Sequence, residues 1–166
     1  MTLEQRLQRL EDDRAIRDVK ARYLRAADSR DVEAIRACFT PDARIEFEGF
    51  PPFDNRDAFV AVYQQMACVK GIFDIHHGAN GVVRFEDDRH AHGQWSLFFH
   101  NINLPTRMLT QFGVEYDDSF VKGDDGVWRM TVSRSRRTSA LVHKVDDEGH
   151  ATVAAMGELE GMFGES

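Results

Sequence analysis

The 166-residue chain carries 21 Lys and Arg against 28 Asp and Glu, a formal net charge of −7 at pH 7, with 42% hydrophobic and 30% charged residues. That length suits one domain able to bury its own core. The acidic balance excludes a general nucleic-acid partner or a seat on an anionic membrane, since either needs basic residues. Cys38 and Cys68 are too few for a disulfide scaffold and read as free thiols of a reducing cytoplasm. The opening Met-Thr-Leu-Glu-Gln-Arg has no apolar core of a signal peptide, and no apolar run is long enough to span a membrane. The expected setting is therefore cytoplasmic.

Residues 15–28 read as the organising helix, with Ile16, Val19, Tyr23, Ala26 and Ala27 at the 3–4-residue spacing of one buried stripe. Residues 2–13 continue the helical pattern, with Leu3, Leu7 and Leu10 on one side. Ser29 and Asp31 offer caps for a short helix from Val32 to Phe39 that Thr40-Pro41 ends. Residues 43–48 alternate as a half-buried strand, and Asn55 caps a third helix to about Ala67. From Ile72 onward, four strand-like runs (75–86, 91–100, 107–121 and 127–145) alternate with short turn-forming loops. Short loops between long strands imply antiparallel neighbours, and Gly78 and Gly81 would permit a bulge or bend. The element order gives an α+β domain over residues 1–145, with helices on one face of a curved sheet. Residues 146–166 read as a C-terminal tail, frayed or briefly helical.

Two residues depart from plain helix design. Tyr23 puts a hydroxyl inside the apolar stripe, and Asp28 places a carboxylate in the last turn, where the helix dipole gives it no support. The two are five residues apart, about 140° around a regular helix, so spacing alone does not aim them at one point.

The segments Ala15-Ile-Arg-Asp with Tyr23 and Asp28, Thr40-Pro-Asp-Ala43, Ile75-His-His-Gly-Ala-Asn80 and Gly126-Val-Trp128 resemble the SnoaL-like branch of the nuclear transport factor 2-like superfamily. Bile-acid 7α-dehydratases, lindane dehydrochlorinase and scytalone dehydratase belong to that group, and the resemblance covers roughly residues 3–140. It implies a cone-shaped antiparallel or mixed sheet wrapping three N-terminal helices around a blind pocket. It also implies catalytic roles: His76 as a proton-abstracting base, Asp28 as its carboxylate partner and Tyr23 as a nearby hydroxyl. Histidine suits that work because its proton exchanges near neutral pH, and a carboxylate on its other nitrogen fixes the tautomer. His77, adjacent on a strand, should point the opposite way.

The implied reaction is a cofactor-independent elimination or isomerisation of a small apolar molecule, steroid-like or aromatic. A polyketide-cyclase-type enzyme and a non-catalytic assembly domain, like the small subunit of ring-hydroxylating dioxygenases, are the alternatives. The family's second tyrosine and additional acid fall on Phe47 and Phe99, so with Phe112 the substrate-binding walls are expected to be apolar. On the last long strand Trp128, Met130 and Val132 share a face by alternation, and Arg134 and Arg136 continue it. Those arginines are expected either to bind substrate charge or to close the cone with a salt bridge. Asp117 and Asp118 read as turn or surface charges. His90, His92 and His100 lack matching ligands at metal-site spacing, and no nucleotide or redox motif occurs, so no metal or cofactor is expected. Self-association as a dimer or trimer is expected through the outer sheet face, where Arg129, Thr131, Ser133 and Ser135 would lie.

Overall fold

The computed structural model describes residues 1–157. Helix α1 runs Leu3–Ser29, α2 Val32–Ala37 and α3 Arg56–Ala67; the strands are β1 Phe39–Phe47, β2 Ile72–Phe85, β3 His90–Asn103, β4 Met108–Lys122, β5 Trp128–Val145 and β6 Ala151–Gly157. The sheet has the order β1-β5-β4-β3-β2, with β6 also paired to β5. Among the described residues, only the β1–β5 pairing is parallel. This is an α+β fold in which three helices pack on an unclosed, curved, mixed sheet.

Local chemistry accounts for the helix ends. The Thr2 hydroxyl accepts from Gln5 N–H while the Gln5 side chain accepts from Thr2 N–H, a reciprocal cap that starts α1. Asp31 and Asn55 cap α2 and α3 through Ala34 and Ala58 N–H. Helix α2 stops at Ala37, short of the expected Phe39, and β1 begins at Phe39, running through Thr40-Pro41. The early strand start follows from Phe39, fully buried against Tyr23 and Phe59 in edge-to-face contacts. The expected tail contains β6 where a frayed end or short helix was read; residues 158–166 lie outside the described residues.

The stripe of α1 packs as its spacing requires, with Ile16, Val19, Tyr23, Ala26 and Ala27 all buried. The sheet bends closely around it. The β2–β3 register shifts between Ala79 and Val82, beside Gly81. A Cβ on Gly81 would stand 2.2 Å from the Trp95 ring, so only glycine lets the two approach.

Three charged residues of the core were not legible as such. Lys20 Nζ stands 2.8 Å from Asp118 Oδ2, with 2% and 0% of the side chains exposed. Asp118 is thus no surface charge; Ser133 donates to its other oxygen at 2.7 Å. Burial pushes the Lys20 amine down and the Asp118 carboxyl up, and their pairing opposes both shifts. Asp12, also buried, accepts from Trp128 Nε1 and Lys122 Nζ, each at 2.8 Å.

Lys20→Met strands the Asp118 carboxylate and is expected to cost about 3–5 kcal/mol of unfolding free energy, the scale for breaking a buried pair. Lys20→Met with Asp118→Leu is expected to recover part of that loss, because no bare charge remains. Urea unfolding of the wild type and both variants measures the difference; a double variant less stable than the single one contradicts it.

Candidate active site

The last turn of α1 brings Asp28 to β2. His76 Nδ1 lies 2.6 Å from Asp28 Oδ1, and the backbone N–H of His76 donates to the same oxygen at 3.0 Å. Burial acts to raise the Asp28 carboxyl, but the bonds from the His76 ring and backbone, with Arg30 nearby, outweigh it and hold the carboxyl below its usual range. An ionised carboxylate only accepts, so Nδ1 carries a proton toward Asp28, and Nε2 is the ring nitrogen that this contact leaves free. Strand alternation puts His76 inward and His77 outward.

His76 faces two adjoining cavities of about 300 and 370 Å3 that share Phe47, Phe99 and Tyr116 in their walls. Phe112 lines the second, with its ring stacked on Phe99 at 5.8 Å between centroids. Phe99 also contacts the His76 ring at 4.8 Å. The three phenylalanines named from the sequence therefore stand in the cavity walls.

Tyr23 reaches the first cavity from α1 despite its angular offset from Asp28. Asp28 lines neither cavity and reaches the site only through its contact with His76. Tyr116 joins Tyr23 in the wall of the same cavity. Burial, above all, pushes both phenols well above their ordinary range, with Asp118 adding to the shift. Both are neutral donors at physiological pH. Lys20 Nζ lies 3.4 Å from the centre of the Tyr116 ring, which links the site to the buried ion pair.

The arginines are placed otherwise than alternation indicates. Trp128 and Met130 point inward, but the β4–β5 register shifts between Ser119 and Phe120, and beyond that shift Ser133 faces the core. Arg134 and Arg136 accordingly fall on the outer face, paired with Glu46 at 2.9 Å and Glu115 at 2.6 Å. Ser133 likewise leaves the outer face where it was expected. The same shift puts Arg137, opposite Val114, on the cavity side with Ser133 and Ser135; its guanidinium stands 5.3 Å from the Phe112 ring and donates to the Glu48 carbonyl.

Tyr116 and Arg137 are the site residues that sequence reasoning missed. Tyr116 had a usable signal, since it shares strand parity with the apolar Val114. Arg137 had none, because its direction depends on bulges. His90 pairs with Asp87 at 2.9 Å and His92 with Glu86 at 2.5 Å. Among the described residues one group has metal-like spacing, the exposed Asp146, Glu148 and His150, far along the chain from this cavity.

Residues 8–134 match the SnoaL-like domain family. The chain belongs to that family. Its fold is the nuclear transport factor 2-like cone, and solved structures agree. Hexachlorocyclohexane dehydrochlorinase LinA-type3 of Novosphingobium barchaimii is similar at 17% identity and TM-score 0.73, over 93% of this chain and 98% of that one. A putative scytalone dehydratase of Novosphingobium aromaticivorans is similar at 21% identity and TM-score 0.73, over 80% and 88%. ActVI-ORFA of Streptomyces coelicolor is similar at 15% identity and TM-score 0.64, over 74% and 94%. No curated protein matches the sequence. Family membership supports a cofactor-free, lyase-like enzyme family; at these identities the structural likeness shows the fold alone.

The Asp28 carboxyl titrates below its ordinary 3.8 in the fold, so its pairing stabilises the protein above that pH and fades as pH falls through the folded value. The stability gap between wild type and Asp28→Asn should therefore narrow as pH drops from about 5 to 2. Unfolding measured across that range checks it; a gap that widens in acid contradicts it.

Proposed function

We propose that the protein is a cofactor-independent lyase or isomerase that removes a carbon-bound proton from a small, largely apolar molecule, steroid-like or aromatic, as a leaving group departs. The observation that carries this reading is the 2.6 Å contact of His76 Nδ1 with Asp28 on the wall of an aromatic cavity. His76 Nε2 takes the proton, the C–H electron pair forms the new double bond, and the leaving group departs with its own pair. Asp28 stabilises the imidazolium formed. Tyr23 and Tyr116, kept neutral by burial, can donate to the leaving group or to a substrate carbonyl. The dehydrochlorinase and dehydratase named among similar structures support the class.

A polyketide-cyclase-type reaction would begin with the same proton removal and then form a carbon–carbon bond. A non-catalytic assembly domain would have no use for an oriented imidazole facing a cavity, which disfavours it. No described helix is long and apolar enough to cross a membrane. The proposal includes self-association as a dimer or trimer through the outer sheet face. Phe73, Ile75 and Phe98, 56%, 42% and 48% exposed, lie there on neighbouring strands β2 and β3.

His76→Ala and Asp28→Asn should each lower turnover by roughly 100-fold or more, the scale of general base catalysis. Substrates come from a screen of halogenated and hydroxylated ring compounds. The double variant should be little worse than the more damaged single one, because the pair acts as a unit. Tyr23→Phe should cost less, and all three should fold. Full activity in His76→Ala would sink the mechanism, while unchanged turnover per folded molecule with lowered stability would favour a structural pair. Light scattering should give a mass above the 19.0 kDa protomer, and Phe98→Glu should lower it.

A further inference from the structure

Strands β2 and β3 present the first cavity with three rungs: His76 beside Phe99, Asp74 beside Asn101, and Ile72 beside Asn103. Rungs two residues apart along a strand are separated by about 7 Å. The first rung is surrounded by aromatic rings, whereas the second and third each carry an amide.

The hydrogen bonds already made dictate how those amides face. Asp74 Oδ2 pairs with Arg30 at 2.9 Å, and Asp74 Oδ1 accepts from Asn101 Nδ2 at 2.5 Å. A carboxylate has no proton to give, so the nitrogen of Asn101 must face Asp74 and its carbonyl oxygen must face elsewhere. That oxygen meets no protein donor among the described residues. Asn103 is oriented the other way. Its Oδ1 accepts from Thr106 N–H at 3.1 Å, which leaves Nδ2 without a protein acceptor among the described residues. Both side chains are half-buried and line the cavity. The wall thus offers one fixed acceptor and, on the next rung, one fixed donor. A hydroxyl supplies both complements; a hydrocarbon supplies neither.

We propose that Asn101 and Asn103 form a specificity subsite for a hydroxyl-bearing end of the ligand. The molecule taken is then an apolar ring system with a hydroxyl beyond the Asn101 rung, about 7 Å or more from the carbon that faces His76. Asp74, held by Arg30, is a positioning residue that fixes the Asn101 amide. The inference rests on the cavity being the substrate site, but not on the elimination chemistry.

The test is fluorescence titration of the full chain with naphthalene, 2-naphthol and 2-methoxynaphthalene, the last having no proton to donate. 2-Naphthol should bind about 3- to 10-fold tighter than the other two, the worth of one hydrogen bond. Asn101→Leu should abolish the preference over 2-methoxynaphthalene, and His76→Ala should preserve it. A second reading needs no variant: in the wild type, the Asn103 side-chain NH2 signal in NMR should shift with 2-naphthol and stay in place with naphthalene. Equal affinity for all three probes, or a preference that survives Asn101→Leu, overturns the subsite and leaves the cavity reading standing. A preference lost in His76→Ala puts the hydroxyl on the base and also overturns it. No binding of any probe overturns the cavity reading and the subsite together.

Discussion

The ion pair between Lys20 and Asp118 holds α1 in one position beneath the sheet. Both charges are closed to solvent, so any slide or rotation of the helix would leave one of them unpaired. Removing a charge from water costs several kcal/mol, and only the geometry found here offsets it. The same helix is fixed at further points: Asp12 to Trp128 and Lys122, Tyr23 edge-to-face on Phe39, and Asp28 to His76. Residues 12 to 28 span about 24 Å at helical rise, so these contacts brace α1 from one end of the sheet to the other. The His76–Asp28 pair sits at the end of a helix that cannot shift without breaking the others.

The buried stripe of α1, the Asp31 and Asn55 caps and the antiparallel run from β2 to β5 were legible because each follows from local spacing or local hydrogen bonding. His76, Asp28 and Tyr23 were legible only through family resemblance; their separations of 5 and 48 residues contain no geometry. What failed was of two kinds. Lys20 and Asp118 look like ordinary surface charges in a chain that is 30% charged, and only the fold brings them together. Arg134 and Arg136 were assigned by strict alternation, which one register shift inverts, moving them outward and Arg137 inward. A β-bulge has no firm signature in sequences such as Val114 to Phe120, so strand parity past the first bulge could not be read.

The fixed geometry at Asp28 has a local cause as well. Arg30 ends α1 in the left-handed region, φ 62°, where a residue other than glycine costs about 1–2 kcal/mol. Its guanidinium offsets that strain by donating to Ala27 O at 2.7 Å and Ile72 O at 3.0 Å while pairing with Asp74. Tyr63 donates to the same Ala27 carbonyl at 2.7 Å. The helix end is thus tied to the start of β2 four residues before His76. The cation also lies near enough to help keep Asp28 ionised.

These constraints decide which group can accept a proton. Tyr23 and Tyr116 cannot, since burial keeps their phenols neutral far above physiological pH. Asp28 is a poor acceptor because hydrogen bonds stabilise its charged form, and a carboxylate held below its usual pKa is a weakened base. Asp74 has both oxygens engaged, by Arg30 and Asn101. Among the groups gathered on the first cavity's wall, His76 alone presents an imidazole, with its Nδ1 held by Asp28 and its Nε2 left free of that contact. The neighbouring carboxylate favours the positive imidazole that follows proton uptake, while the phenols can meet negative charge on the departing group. The proposed elimination would draw on this separation of a base from neutral donors, which their surroundings set before any ligand enters.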